Sequence, residues 1–272
     1  MKLKDKVVVV TGSTRGIGRA IPEECAREDA KVVICSRKEA SVEETYLSLK
    51  NQGFDVSGMA ADVSAWGDLE RLLAHAVETW GKVDVWINNA GLSGGMRPID
   101  EWSENEITQI INVNFTGTLK ACRLIIPYFV EQGGGILINM NGKGGRCEGS
   151  PFLTAYASTK AAVSSLTKSL AREYKEYPIS IHSVTPGMVA TDFYKDMKTS
   201  PKLGDNAESI PYVLKAFGVP ITCVAHFCVQ IAAQEPGKST GRNYSLLSGR
   251  RLVRAILLMM YYRLTGKVKV RM

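Results

Sequence analysis

Between Lys6 and Val184, six short and nearly continuous apolar runs alternate with segments of helical period. The runs are Lys6–Val10, Lys31–Cys35, Asp55–Ala60, Val83–Ile87, Gly135–Met140 and Ile179–Val184. The intervening spacing predicts helices over Ile17–Glu28, Ser41–Asn51, Asp68–Trp80, Ser103–Val130 and Thr154–Tyr174. Strands with no apolar–polar alternation are buried on both faces, and helical connections join parallel neighbours through right-handed crossovers. The expected fold is α/β: a single-domain doubly wound parallel sheet with helices on both faces. Residues 220–235 read as a later helix with Pro220 in its first turn, and Gly241–Leu246 as a last strand. Two residues strain the pattern. Pro22 falls inside the first helix, where a kink or a shifted start is expected. Asp29 stands where a glycine would close that helix more easily.

Apolar residues make up 45% of the 272 and charged residues 22%, ordinary for a chain that buries a full core and unlike disordered, collagenous or coiled-coil sequences. The net charge is +7, but it is localised. Arg250, Arg251, Arg254, Arg263, Lys267, Lys269 and Arg271 stand in residues 250–272 with no acid among them, so residues 1–249 are neutral overall. A neutral body gives no electrostatic support to nucleic-acid binding. Six irregularly spaced cysteines without a CxxC, and three scattered histidines, predict no metal site and no disulfide framework. Cys35 and Cys223 sit in apolar runs and read as small buried hydrophobes. The start of the chain lacks the apolar core of about 7–15 residues that a secretory signal needs, which predicts a cytoplasmic, reducing compartment.

The first strand runs into Thr11-Gly12-Ser13-Thr14-Arg15-Gly16-Ile17-Gly18 and then a helix. Glycines at a strand-to-helix turn let backbone approach a pyrophosphate, and the helix start offers free N–H groups and positive potential. Further on come Asn88-Asn89-Ala90-Gly91, Asn114 within Asn112-Val113-Asn114-Phe115, Tyr156-Ala157-Ser158-Thr159-Lys160, and Pro186-Gly187 followed by Thr191.

In this order and spacing, the five motifs resemble the short-chain dehydrogenase/reductase family over roughly residues 4–249. The resemblance implies a Rossmann-like fold and an oxidoreductase that binds a nicotinamide dinucleotide through Gly12, Ser13, Thr14, Arg15, Gly16, Ile17, Gly18, Asn89, Ala90, Gly91, Pro186, Gly187, Val189 and Thr191. It implies that Asp62 and Val63 contact the adenine, that Lys160 holds the nicotinamide ribose, and that Asn114 anchors a water-linked proton path. It also implies a homodimer or homotetramer, with a tail beyond the domain.

The residues themselves speak to the choice of dinucleotide. An acid at the end of the second strand would bind a ribose 2′-hydroxyl; here that strand ends Cys35-Ser36-Arg37-Lys38, with Arg15 in reach. Guanidinium forks and a hydroxyl suit a 2′-phosphate, so NADP(H) is expected. Tyr156 and Lys160 are four apart and share one helix face. A phenol with pKa about 10 is a poor acid–base at neutral pH, and a neighbouring ammonium favours its ionised form. The pair would protonate a carbonyl oxygen, or run in reverse.

One part is missing. The family carries a serine after strand five, about thirteen residues before the tyrosine; here the segment reads Asn141-Gly142-Lys143-Gly144-Gly145. Asn141 or a backbone N–H is the candidate substitute donor. This strand ending also resembles the chlorophyll(ide) b reductase branch, which reduces a formyl group. Phe193, Tyr194, Met197, Met188, Tyr212 and Phe217 follow Pro186-Gly187 and would cover a bulky apolar substrate or pack on the core. Two functions fit these residues: an NADPH-dependent reductase of a hydrophobic aldehyde or ketone, and a non-catalytic NADP(H)-binding sensor or scaffold. The tail brackets Ala255–Tyr262 with basic residues, which suits either an anionic membrane surface or a neighbouring subunit.

Overall fold

Every residue of β1 (Val7–Thr11) is buried, and its side chains divide by parity, as alternation along a strand requires. Val8 and Val10 point to a core shared with Ile21 and Cys25 of α1 (Gly16–Arg27) and with Val224 and Cys228 of a later helix. Val7 and Val9 point the other way, to Leu69, Leu72 and Ala76 of α3 (Trp66–Trp80) and to Ile125 and Phe129 of α5 (Gly117–Glu131). Burying each such side chain contributes roughly 1.5–3 kcal/mol relative to exposure, so both faces of the strand need a helical cover.

The computed structural model describes residues 1–191 and 198–268. Its sheet adds β2 (Lys31–Ser36), β3 (Val56–Ala60), β4 (Val85–Asn88), β5 (Gly135–Met140), β6 (Ile179–Thr185) and β7 (Asn243–Ser245). The strand order is β3-β2-β1-β4-β5-β6-β7, and every pairing is parallel. The winding reverses between β1 and β4, which opens a crevice beyond the carboxyl ends of these strands. The remaining helices are α2 (Glu39–Lys50), α4 (Glu104–Ile111), α6 (Thr154–Glu173), α7 (Asp205–Phe217), α8 (Ile221–Ala232) and α9 (Gly249–Leu264). Helices α1, α2 and α8 cover one face; α3, α5 and α6 cover the other.

Several expectations are refined. Helix α1 runs through Pro22, whose ring is buried, and Asp29 does take the left-handed conformation after it, at φ 65°. The long helix expected over Ser103–Val130 is built in three parts. A capping box between Ser103 and Glu106 starts α4, a π-helical turn follows over Asn112–Thr116, and α5 completes it. Helix α7 was not foreseen, because Pro211 and the glycines around it masked the helical period. Pro220 caps α8 rather than entering its first turn, and β7 is shorter than expected. Cys35 is fully buried, whereas Cys223 is half-buried. Helix α9 folds back on α7: Ala255 and Tyr262 are buried, and Tyr262 meets Tyr212 edge-on at 5.2 Å. Among the described residues no helix is long and apolar enough to cross a membrane.

Candidate active site

The glycine loop lies over the β1–β4 switch point. Gly12 has φ 63°, and a Cβ there would fall 2.8 Å from the Ala90 Cα. A Cβ at Gly18 would fall 2.0 Å from the Gly12 carbonyl oxygen and 2.5 Å from Asn89 Nδ2. The bare backbone is locked from below. Asn89 Nδ2 donates to the carbonyls of Thr11 (2.9 Å) and Gly12 (3.1 Å), while Thr11 Oγ1 accepts from the N–H groups of Asn89 (3.0 Å) and Ala90 (3.1 Å). Thr11 is a hub that motif reading passed over; its position at the strand end, one residue before the first glycine, was the available signal. Ser13, expected on the dinucleotide, is instead fully buried. Its hydroxyl accepts from the Cys35 N–H (2.7 Å) and donates to the Cys35 carbonyl (3.2 Å), tying the loop to β2. Arg15 is exposed in extended conformation before α1, whose first turn has no acid and no side-chain cap. Its orphan N–H groups therefore stay available to an anion.

The other predicted loops converge on the same edge. Arg37 is exposed at the end of β2, beside Ser36, whose hydroxyl donates to the Lys38 carbonyl (3.3 Å). After β3, Asp62 Oδ1 accepts from the Ser64 N–H (2.8 Å) and hydroxyl (2.7 Å), and Val63 is buried. Beyond β6, Pro186 and Val189 are buried, Gly187 turns the chain at φ 83°, and Thr191 reaches the space beside Gly16. Ile17 packs on the core below.

Tyr156 and Lys160 share one face of α6. Lys160 Nζ donates to the Met140 carbonyl at the end of β5 (2.9 Å) and lies 5.7 Å from the Tyr156 ring centre. Burial lowers the Lys160 pKa to about 8, because an ammonium away from water loses solvation. It is still mostly charged at neutral pH, in surroundings that screen it poorly. Asn114 sits in the π-helical turn, fully buried. Its Nδ2 donates to the Leu92 carbonyl (2.9 Å) and Thr159 Oγ1 (3.2 Å), and its Oδ1 accepts from the Leu92 N–H (2.7 Å). Thr159 in turn donates to the Tyr156 carbonyl (2.7 Å). The Asn114 side chain therefore clamps the loop after Gly91 to α6. The π-helical turn adds a residue that aims Asn114 at both elements, and such turns frequently mark functional sites.

The segment after β5 answers for the absent serine. A Cβ at position 142 would fall 2.2 Å from the Tyr156 hydroxyl and 3.1 Å from its Cζ. The phenol therefore occupies the volume that a side chain at 142 would fill. Asn141 is enclosed beneath the turn: its Oδ1 accepts from the Gly142 N–H (2.9 Å), Gly145 closes over it, and Nδ2 is buried without a partner. In this conformation Asn141 presents no donor to the crevice, which corrects the expectation of a catalytic role. Lys143, which falls thirteen residues before the tyrosine, is exposed beside Glu148.

On the substrate side, Tyr156 packs with Trp102, Ile110, Ala155, Leu92 and Ile107. Arg97 stacks on Trp102 at 4.5 Å and pairs with Glu106 at 2.7 Å, holding the Glu106 carboxyl down to about 2. This wall was missed, because Trp102 lies outside every motif. Of the expected covering residues, Met188 and Phe217 are half-buried, and Tyr212 packs toward α9. Phe193, Tyr194 and Met197 lie outside the described residues.

A model of the family described as "short chain dehydrogenase" matches residues 6–202. The probable chlorophyll(ide) b reductase, chloroplastic, of Arabidopsis thaliana is 34% identical over 203 residues, 68% of this chain and 41% of the relative. The chain thus spans about two fifths of that relative's length. Two solved structures share the fold over 90% of this chain and 97% of theirs. One is a variant actinorhodin polyketide ketoreductase with NADPH, at 26% identity and TM-score 0.77. The other is a 3-ketoacyl-(acyl-carrier-protein) reductase from Brucella melitensis complexed with NADH, at 25% identity and TM-score 0.79.

Proposed function

The chain belongs to the short-chain dehydrogenase family, and from that premise we propose that it is an NADPH-dependent reductase of a hydrophobic aldehyde or ketone, with Tyr156 as the proton donor. The observation that carries this reading is the phenol of Tyr156 beside the buried Lys160 ammonium, at the crevice that the glycine loop borders. The loop fits a dinucleotide: its glycines leave a cradle that a single Cβ would fill, next to an uncapped helix start. Bound there, the nicotinamide would supply the hydride. Gly12, Thr14, Arg15, Gly16, Ile17 and Gly18 would hold the pyrophosphate side; Asp62 and Val63 the adenine; Asn89, Ala90, Gly91, Lys160, Pro186, Gly187, Val189 and Thr191 the nicotinamide side. Tyr156 gives its hydroxyl proton to the substrate oxygen, and Lys160 stabilises the charge left on the phenol. The apolar wall around Trp102 favours a hydrophobic carbonyl.

Preference for NADPH is supported by the exposed Arg15 and Arg37 and the half-buried Ser36, which stand where an acid would favour NADH. Arg37→Asp is expected to weaken NADPH binding by roughly ten- to a hundredfold, the loss of a charged hydrogen bond, while NADH binding holds or improves. Nicotinamide fluorescence titration measures both, and an unchanged preference for NADPH defeats the assignment.

Gly142 bears on the rival reading, a non-catalytic NADP(H) sensor, since no side chain there holds a substrate oxygen. Gly142→Ala should lower kcat by about a hundredfold, because it displaces the hydroxyl by ~1 Å, without changing NADPH affinity. The deciding experiment adds a carbonyl panel (a formyl tetrapyrrole, steroids, quinones and medium-chain ketones) to the NADPH-bound protein. Oxidation of NADPH by one class establishes the reductase. Tight binding with no oxidation across the panel favours the sensor.

A further inference from the structure

We infer that the outer face of α9 docks the protein on an anionic phospholipid surface. The helix is amphipathic in an unusual sense, having two apolar faces. Leu252, Ala255, Met259 and Tyr262 are buried or half-buried against the body. On the opposite side Val253 (57% exposed), Ile256, Leu257 (61%), Met260, Tyr261 and Leu264 (86%) stand in solvent. At 100° per residue these six fall on one face, and the apolar stripe from Val253 to Leu264 is roughly 16 Å long at ~1.5 Å per residue. A packed globular body has no use for a stripe of this size left uncovered.

Charge decides what covers it. Around the helix axis, Arg254 lies on one flank of the exposed stripe and Arg263 on the other, with Arg250 at the N-terminal end of the stripe and Lys267 just beyond the last turn. All four are exposed. There is no acid from Arg250 to the end of the chain. An apolar face bordered by cations is the arrangement that sinks to the acyl boundary while its guanidinium groups meet phosphate and carboxylate headgroups. Tyr261 adds an amphipathic ring suited to that depth. A second copy is a poor occupant. A two-fold contact would set the same arginines against one another, and the remainder of the chain has no net negative charge to offer.

Flotation of the full-length protein with phosphatidylcholine vesicles, with and without one third phosphatidylserine, tests this. The protein should float with the anionic vesicles, remain behind with the neutral ones, and be released as salt shortens the screening length. Each arginine removed should lower partition about fivefold, so combining Arg250→Ala, Arg254→Ala and Arg263→Ala costs about a hundredfold. Leu257→Glu should abolish flotation. All of these side chains are exposed, so helix content by circular dichroism should match the parent. Equal flotation with both vesicle types, no flotation with either, or flotation that survives the arginine substitutions would overturn the proposal. So would a self-association that Leu257→Glu disrupts in the absence of any lipid binding.

Discussion

Tyr156→Phe is expected to bind the dinucleotide as the parent does and to turn over about 10²–10⁴-fold more slowly, the usual contribution of a positioned proton donor. The substitution removes one oxygen and leaves the ring packed on Trp102, Ile110 and Ala155. Lys160 keeps its bond to the Met140 carbonyl, and Asn114 and Thr159 still fix α6. The loss should therefore fall on kcat, with the KM for dinucleotide unchanged, the pattern of an interaction made in the transition state. Single-turnover oxidation of NADPH separates the chemical step from product release. A variant with the parent's rate would mean that the proton arrives from elsewhere and that the phenol only packs.

Gly18→Ala should weaken dinucleotide binding by roughly a hundredfold, about what one or two charge-assisted hydrogen bonds provide. The new methyl group would lie 2.0 Å from the Gly12 carbonyl oxygen. That carbonyl cannot swing away, because Asn89 Nδ2 holds it at 3.1 Å and also holds Thr11 at 2.9 Å. Relief requires moving the helix start or breaking the Asn89 clamp, and either displaces the N–H groups aimed at the anion. Overpacking of this kind costs typically 1–3 kcal/mol of stability, so thermal unfolding should shift down as well. Binding and melting temperature both equal to the parent's would show that the loop is soft and that the cradle is not built by close approach.

Much of this molecule could be read along the chain because the signals are local. Six strands and most of the helices announced themselves through period, and the glycines through their spacing between strand and helix. Tyr156 and Lys160 could be paired because four residues make one helical turn. The second level of the site was hidden. Thr11 and Thr159 stand inside the motifs but act through partners far along the chain that the motifs do not reveal, and Trp102 lies outside every motif. Ser13 and Asn141 carried motif or chemical credentials, yet the Ser13 hydroxyl is bonded to β2 and the Asn141 amide is enclosed beneath its turn. The Asn114 motif was legible, but the clamp its amide makes was not. The π-helical turn inserts a residue into an otherwise regular helical period, and that decides which way the amide points.

By itself the sequence determined the doubly wound sheet, the glycine cradle and the phenol–ammonium pair, because each is specified within one or two consecutive elements. Tertiary structure decided what fills the space at Gly142 and which polar side chains face the crevice. It also decided that α9 turns one apolar face to the body and leaves the other in solvent. These are matters of which distant atoms compete for the same volume and the same hydrogen bonds, and that competition exists only once the chain has closed on itself.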